Sequence, residues 1–154
     1  MYDIQAIQRD DGVAIVYIRK PPNIPGLAYR TFASLAEHEV DVDLIVQPSL
    51  SPSGGTMIFT IHQSDAERAR DVLEELFADC PDTEIEIDPC AVKLSVAGEG
   101  MQGKPGVAAR VFKCLWDAGV RIINISTSEI KISMLIPQTD ANKAYDALLN
   151  GFEI

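Results

Sequence analysis

The chain has only three cysteines, two histidines and few aromatic residues, and no apolar run approaches the length of a bilayer. Each shortage excludes something. Cys80, Cys90 and Cys114 form an odd, widely spaced set without a CxxC pair, so neither a disulfide framework nor a cysteine zinc site is expected. They read as small core or surface residues of a reduced, cytoplasmic protein. His38 and His62 lie far apart with no regularly spaced Cys or acid, which makes them surface histidines and leaves no metal site. A spanning helix needs about 20 apolar residues, and no such segment or signal-peptide pattern exists. Basic residues are outnumbered, 13 to 23, for a formal charge of −10. Phosphate-backbone binding rests on clustered Lys and Arg, so nucleic acid is excluded as a partner, and so is an anionic membrane surface.

What the 154 residues do contain is a repeat. Residues 23–47 and 103–127 match at a constant offset of 80. The identities are Pro25/Pro105, Gly26/Gly106, Ala28/Ala108, Arg30/Arg110, Phe32/Phe112, Leu35/Leu115, Val40/Val120 and Ile45/Ile125. Further on, residues 62–69 match 137–144 at an offset of 75, both carrying Gln-x-Asp-Ala before an alanine-containing helix pattern. Helix starts and strands recurring in one order indicate duplication.

Each copy reads as β-α-β-β-α-β. In the first, Val13–Ile18 is a continuous apolar strand. Pro25-Gly26 opens a helix, with Pro in the first turn where its missing N–H costs nothing. Leu27, Ala28, Thr31, Phe32, Leu35 and Ala36 supply that helix with one apolar face. Val40, Val42, Leu44 and Val46 alternate with Asp41 and Asp43 as a half-buried strand. Residues 48–55 are a Pro/Ser/Gly-rich hairpin loop, and Met57, Phe59 and Ile61 mark the return strand. Ser64-x-x-Glu67 predicts a capping box, with Ala66, Ala69, Leu73 and Leu76 on the second helix. Glu84–Asp88 is the fourth strand. Asp65, Glu67, Asp71, Glu74 and Glu75 form that second helix's solvated face.

The second copy runs through Val92–Val96, a helix from Pro105, strands at 121–127 and 130–136, and a helix from Asp140. It stops at Ile154 without a fourth strand, while Tyr2–Gln8 is strand-like and belongs to neither copy. The expected fold is therefore α+β. It comprises two ferredoxin-like units with antiparallel sheets, helices on one sheet face and the other face solvated or covered by a partner. One unit spans 11–89. The other is 1–10 plus 90–154, interleaved so that the N-terminal strand completes it.

Nothing assembles into an active site. Gly98-x-Gly100-x-x-Gly103 has the spacing of a dinucleotide fingerprint. However, the first copy carries Ile18, Lys20 and Asn23 at the same positions, and no acid follows for a ribose. Gly103-Lys104-Pro105 lacks the Ser or Thr of a phosphate-binding loop. No cofactor is implied. Trp116, on a helix at the position matching Ala36, is expected in the core or an interface. The turns at 23–28 and 103–108 remain. Free N–H groups and the positive end of a helix dipole favour a carboxylate there, although Pro-Gly could equally serve only to turn strand into helix.

The x-Pro-Gly-x-Ala helix start and the downstream Asp-Ala start resemble the ACT domain, a ferredoxin-like amino-acid sensor. Three segments in order, Val96-Ala-Gly-Glu-Gly-Met101, Pro105-Gly-Val-Ala108 and Ser126-Thr-Ser-Glu-Ile-Lys-Ile-Ser133, resemble the C-terminal regulatory region of aspartate kinases. Ile4-Gln-Ala-Ile7 does too, so the likeness covers nearly the whole chain. The resemblance implies a module that catalyses nothing itself and gives feedback control of a kinase by lysine or threonine. Its implied partners are the kinase's catalytic domain or subunit and a second copy in a homodimer. The implied effector contacts are Asn23, Ile24, Gly26, Leu27, Ala28 and Gln47, with Arg121 and Ile122 from the second unit. Gly103, Val107, Ala108, Thr127 and Glu129 are further candidates. Two positions depart from the family: Asn23 stands where an acid is usual, and Pro48 follows Gln47 where Asn is usual.

Two alternatives use the same fold. A structural or dimerisation module of the kinase would bind nothing, and a stand-alone ACT-type sensor would need no kinase. An RNA-binding ferredoxin-like domain would need aromatics on two central strands and a basic sheet face. Only Tyr17 or Phe59 fits the former, and the charge opposes the latter.

Overall fold

A computed structural model describes residues 4, 6–46, 55–98, 106–128 and 130–152. Its strands are β1 (Ala6–Arg19), β2 (Val42–Val46), β3 (Thr56–His62), β4 (Glu84–Ala97), β5 (Asn124–Thr127) and β6 (Lys131–Pro137). The helices are α1 (Leu27–Glu37), α2 (Ala66–Leu76), α3 (Gly106–Asp117) and α4 (Ala141–Phe152). The chain divides into two compact units, residues 12–89 and residues 1–11 with 90–154.

In the 12–89 unit the strand order is β2-β3-β1-β4, with residues 84–89 of β4 at one edge. β1 and β3 are antiparallel, from Val13 opposite His62 to Arg19 opposite Thr56. Val16, Ile18, Leu35, Phe59, Ile61 and Leu73 form the core between sheet and helices. Phe32 meets Phe59 edge to face at 5.2 Å. The register of β2 on β3 shifts between Val42 and Ile45. That irregularity leaves the Leu44 N–H to donate to the buried Thr60 hydroxyl at 3.0 Å.

In the other unit the order is β1-β4-β6-β5, with residues 6–11 of β1 at one edge and residues 90–97 of β4 beside them. Leu94, Val111, Leu115, Met134, Ile136 and Leu148 make its core. Ile7, 9% exposed, belongs to that core, and Ile4 packs against it. Arg9 fastens the strand to α4: its Nη1 donates to Asn142 Oδ1 at 2.8 Å, and its guanidinium lies 5.5 Å from the Tyr145 ring centroid.

Several sequence expectations need correction. The expected strands at Tyr2–Gln8 and Val13–Ile18 are not separate among the described residues: Ala6–Arg19 is one strand, with Tyr2, Asp3 and Gln5 outside the described residues, and Glu84–Ala97 is also one strand. Both strands run through locally unfavourable residues, the polar Asp10-Asp11-Gly12 in β1 and Pro89-Cys90 in β4. β6 pairs only with residues 91–97 of β4, and Pro is tolerated where a strand edge lacks a ladder partner. β5 is shorter than expected and β6 is displaced by one residue. Pro25 lies in the turn before α1 rather than in its first turn, because Gly26 occupies the cap position in a left-handed conformation, φ 74°. Ala28 and Ala36 are exposed. The first turn of α1 is covered only at Leu27, and Ala36 is rotated roughly 100° beyond Leu35. The same rotation past Leu115 leaves Trp116 82% exposed, so it is no core residue. No capping box forms. Ser64 N–H and Oγ both engage His62 Nδ1, at 3.1 and 2.7 Å, within a 3-10 turn, and Asp65 pairs with Arg68 instead. The sheet faces away from the helices carry buried residues, among them Ile15, Thr60, Ser95 and Leu135. Ser95 and Ser133 share a 2.9 Å hydroxyl bond there.

Both first helices end alike. Val40 N–H donates to Leu35 O and Val120 N–H to Leu115 O, with the preceding residue left-handed in each. That residue is Gly119 (φ 70°) in one and Glu39 (φ 60°) in the other. A side chain in this conformation costs about 1 kcal/mol, and glycine is at home there. Glu39→Gly is expected to raise the melting temperature by about 2–4 °C, and Gly119→Ala to lower it similarly. Thermal denaturation of the two variants checks the sign at each position.

Candidate ligand-binding turns

The turn after β1 is built by backbone geometry. Lys20 has φ 51°, a left-handed conformation unusual for a long side chain. It is pinned from both sides: its N–H donates to Gly55 O at 3.0 Å, and the Thr83 hydroxyl donates to its carbonyl at 2.8 Å. Arg19, one residue earlier, pairs with Glu86 and stacks over Tyr17. Ile24 N–H then donates to Pro22 O at 3.0 Å. Gly26 turns the chain into α1 and accepts the first helical bond, from Arg30 N–H at 2.8 Å. A Cβ at Gly26 would meet nothing within 4 Å, so glycine is required there by its positive φ and not by crowding.

The N–H groups of Leu27, Ala28 and Tyr29 precede the first i→i−4 donor of α1. No side chain caps this end, and its first turn holds no acid. Asn23, Ile24, Gly26 and Ala28 are exposed around them, and Leu27 is half-buried. Five of the eight primary candidates therefore lie together on one open turn whose leading N–H groups and positive dipole end suit a carboxylate. Arg30, exposed in the same first turn, adds a positive charge.

In the other unit, Val107 is 2% exposed and its side chain faces the core, while Ala108 beside it is exposed. Arg121 is exposed, with its N–H donating to Asp140 Oδ2 at 3.2 Å. Ile122 packs partly against the core. Thr127 is exposed at the end of β5, where Ser128 N–H donates to Lys131 O at 2.8 Å. Gln47, Gly103 and Glu129 lie outside the described residues. Lys20, Gly55 and Thr83, which hold the first turn, were not singled out in the sequence. One signal existed: Lys20 matches Gly100 at the repeat offset, and a glycine in one copy flags a left-handed position in the other.

Two surface grooves lie elsewhere. One, of about 420 Å³, is lined by Gln63, Ser64, Glu67, Arg70, Ile87 and Pro89. The other, of about 370 Å³, is lined by Arg110, Lys113, Cys114, Asp117, Ala147 and Gly151. Neither includes a candidate residue. Among the described residues no group of His, Cys, Asp and Glu could hold a metal ion, and no helix is long and apolar enough to cross a membrane.

Known proteins share this sequence pattern and fold. A family model described as the ACT domain matches twice, over residues 21–77 and 94–152. The chain belongs to the ACT domain family. The regulatory subunit of aspartate kinase from Thermus thermophilus, solved ligand-free, is 32% identical with a TM-score of 0.89. The match covers 97% of this chain and 99% of that one. The aspartokinase of Corynebacterium efficiens is 34% identical over 153 residues, which is 98% of this chain and 36% of that protein. This tandem ACT chain thus spans about a third of that relative's length and nearly the full length of a regulatory subunit. Aspartokinase III of E. coli, in complex with lysine and aspartate, is more distant at 21% identity and a TM-score of 0.72. That match covers 96% of this chain and 33% of that one, and it shows the shared fold alone.

Proposed function

We propose that this chain is the regulatory, amino-acid-binding part of an aspartate kinase and gives feedback control by lysine or threonine. The observation that carries this reading is the uncapped start of α1. Three backbone donors, a left-handed Gly26 and an acid-free first turn make a receptor for an α-carboxylate. Lysine is bound in the E. coli aspartokinase III complex, which supports it as a candidate effector.

In this reading the effector carboxylate sits on the N–H groups of Leu27 and Ala28. Ile24 and Gly26 shape the wall, and Asn23 and Gln47 offer neutral partners to the ammonium. Arg121 and Ile122 are further proposed contacts, with Gly103, Ala108, Thr127 and Glu129 as weaker candidates; Val107, whose side chain faces the core, offers only its backbone. The kinase chemistry resides in a catalytic domain or subunit that partners this module, which is itself no enzyme. The module acts in the cytoplasm as a homodimer. Inhibition requires the effector to prefer one subunit arrangement over another, with a typical coupling of about 1–3 kcal/mol.

Isothermal titration of the full chain with lysine and with threonine tests the proposal, alongside a mass measurement with and without each amino acid. Saturable binding by either supports it. Silence for both, in a stable dimer, supports the alternative of a ligand-free assembly module, which Asn23 specifically favours because it removes the usual carboxylate partner of an ammonium.

A further inference from the structure

The turn at 20–26 is the continuation of β1, and β1 does not belong to one unit. Residues 12–19 lie in the sheet beneath α1 and α2, whereas residues 6–11 belong to the unit of α3 and α4. At one end of this uninterrupted strand, Lys20 is held in a left-handed conformation by Gly55 and Thr83. At the other, Ile7 is in the core of the second unit, and Arg9 grips α4 through Asn142 and Tyr145. β4 is built in the mirror sense. Thr83, just before its start, and Glu86 within it hold the first turn's base, and its end runs through Ala97 to Gly98, whose N–H donates to Ile130 O at 2.9 Å. β1 thus runs without a break from the 20–26 turn of one unit into the sheet of the other.

We propose that β1 is a coupling element, so that the order of the 20–26 turn and the stability of α4 depend on each other. A ligand that orders the turn then protects α4, and loosening β1 from α4 weakens ligand at the turn by the same factor, because linkage is reciprocal. The ligand half of this statement rests on the proposed effector site; the strand half does not.

The test has two arms, both in the full chain. In the ligand-free arm, Thr83→Val releases the Lys20 carbonyl, and amide hydrogen exchange is followed in Ala141–Phe152. Faster exchange in α4 is expected. Val42→Ala on β2 serves as a control brought to the same loss of melting temperature by choice of solvent. Unchanged α4 exchange in Thr83→Val, or an equal change in Val42→Ala, overturns the route through β1. In the ligand arm, Arg9→Ala is titrated with lysine and threonine. A loss of about fivefold or more in affinity for whichever amino acid the wild type binds is expected. Unchanged affinity overturns the coupling. Failure of the wild type to bind either amino acid sinks the effector reading instead, and the Thr83→Val arm then decides the strand coupling alone.

Discussion

Asn23→Asp should tighten binding of the effector by about tenfold to a hundredfold. In the proposed site the turn at 23–28 meets the carboxylate of an amino acid, and the residue assigned to its ammonium, Asn23, is a neutral amide. Hydrogen bonds to charged groups contribute about 1.5–3 kcal/mol, and each 1.4 kcal/mol is a factor of ten in affinity. Asn and Asp are nearly isosteric, and position 23 is exposed, so the change adds a charge without disturbing packing. Titration of both variants with lysine and threonine at low and moderate salt checks this. The gain should shrink as salt screens the new pair. Equal affinities for the two variants would mean that the ammonium lies elsewhere, and the assignment of Asn23 would fall.

A chain lacking residues 1–10 should lose most of the stability of the unit containing α3 and α4. The deletion removes Ile7 from that unit's core, takes away the Arg9 contacts with α4, and strips the hydrogen-bonded neighbour from residues 90–97 of β4. Removing one buried Ile side chain alone costs about 2–5 kcal/mol, against a total stability of about 5–15 kcal/mol for a native domain. Hydrogen exchange resolves the effect by segment. Protection should fall first in α3, α4 and β6, with α1, α2 and β3 less affected. Selective loss in the 12–89 unit would contradict the assignment of residues 6–11 to the other.

The sequence alone determined much of this protein. Two copies at an offset of 80 residues gave the element order, because Pro-Gly, Phe32/Phe112 and Leu35/Leu115 recur where each copy needs a turn and a buried stripe. Alternation at Met57, Phe59 and Ile61 placed β3, since a strand with one face on a core must alternate. The Pro-Gly turn was legible as a candidate site because φ above zero and an uncapped helix start are properties of local residue chemistry.

What required tertiary structure was everything decided by distant neighbours. Asp10-Asp11-Gly12 and Pro89-Cys90 carry the local marks of breaks. Whether a strand ends there depends on whether hydrogen-bonding partners continue past it, and those partners lie far away in sequence. Trp116 is apolar and yet exposed because burial follows the orientation of α3 on its sheet. A shift of one residue around a helix turns a side chain by roughly 100°. The lock on Lys20 is the clearest case. It needs Gly55 and Thr83, which lie 35 and 63 positions away, and no local pattern specifies which carbonyl or hydroxyl will arrive. Local chemistry thus fixed the turn and the helix start, and long-range pairing fixed how firmly that turn is held and which helices share its strand.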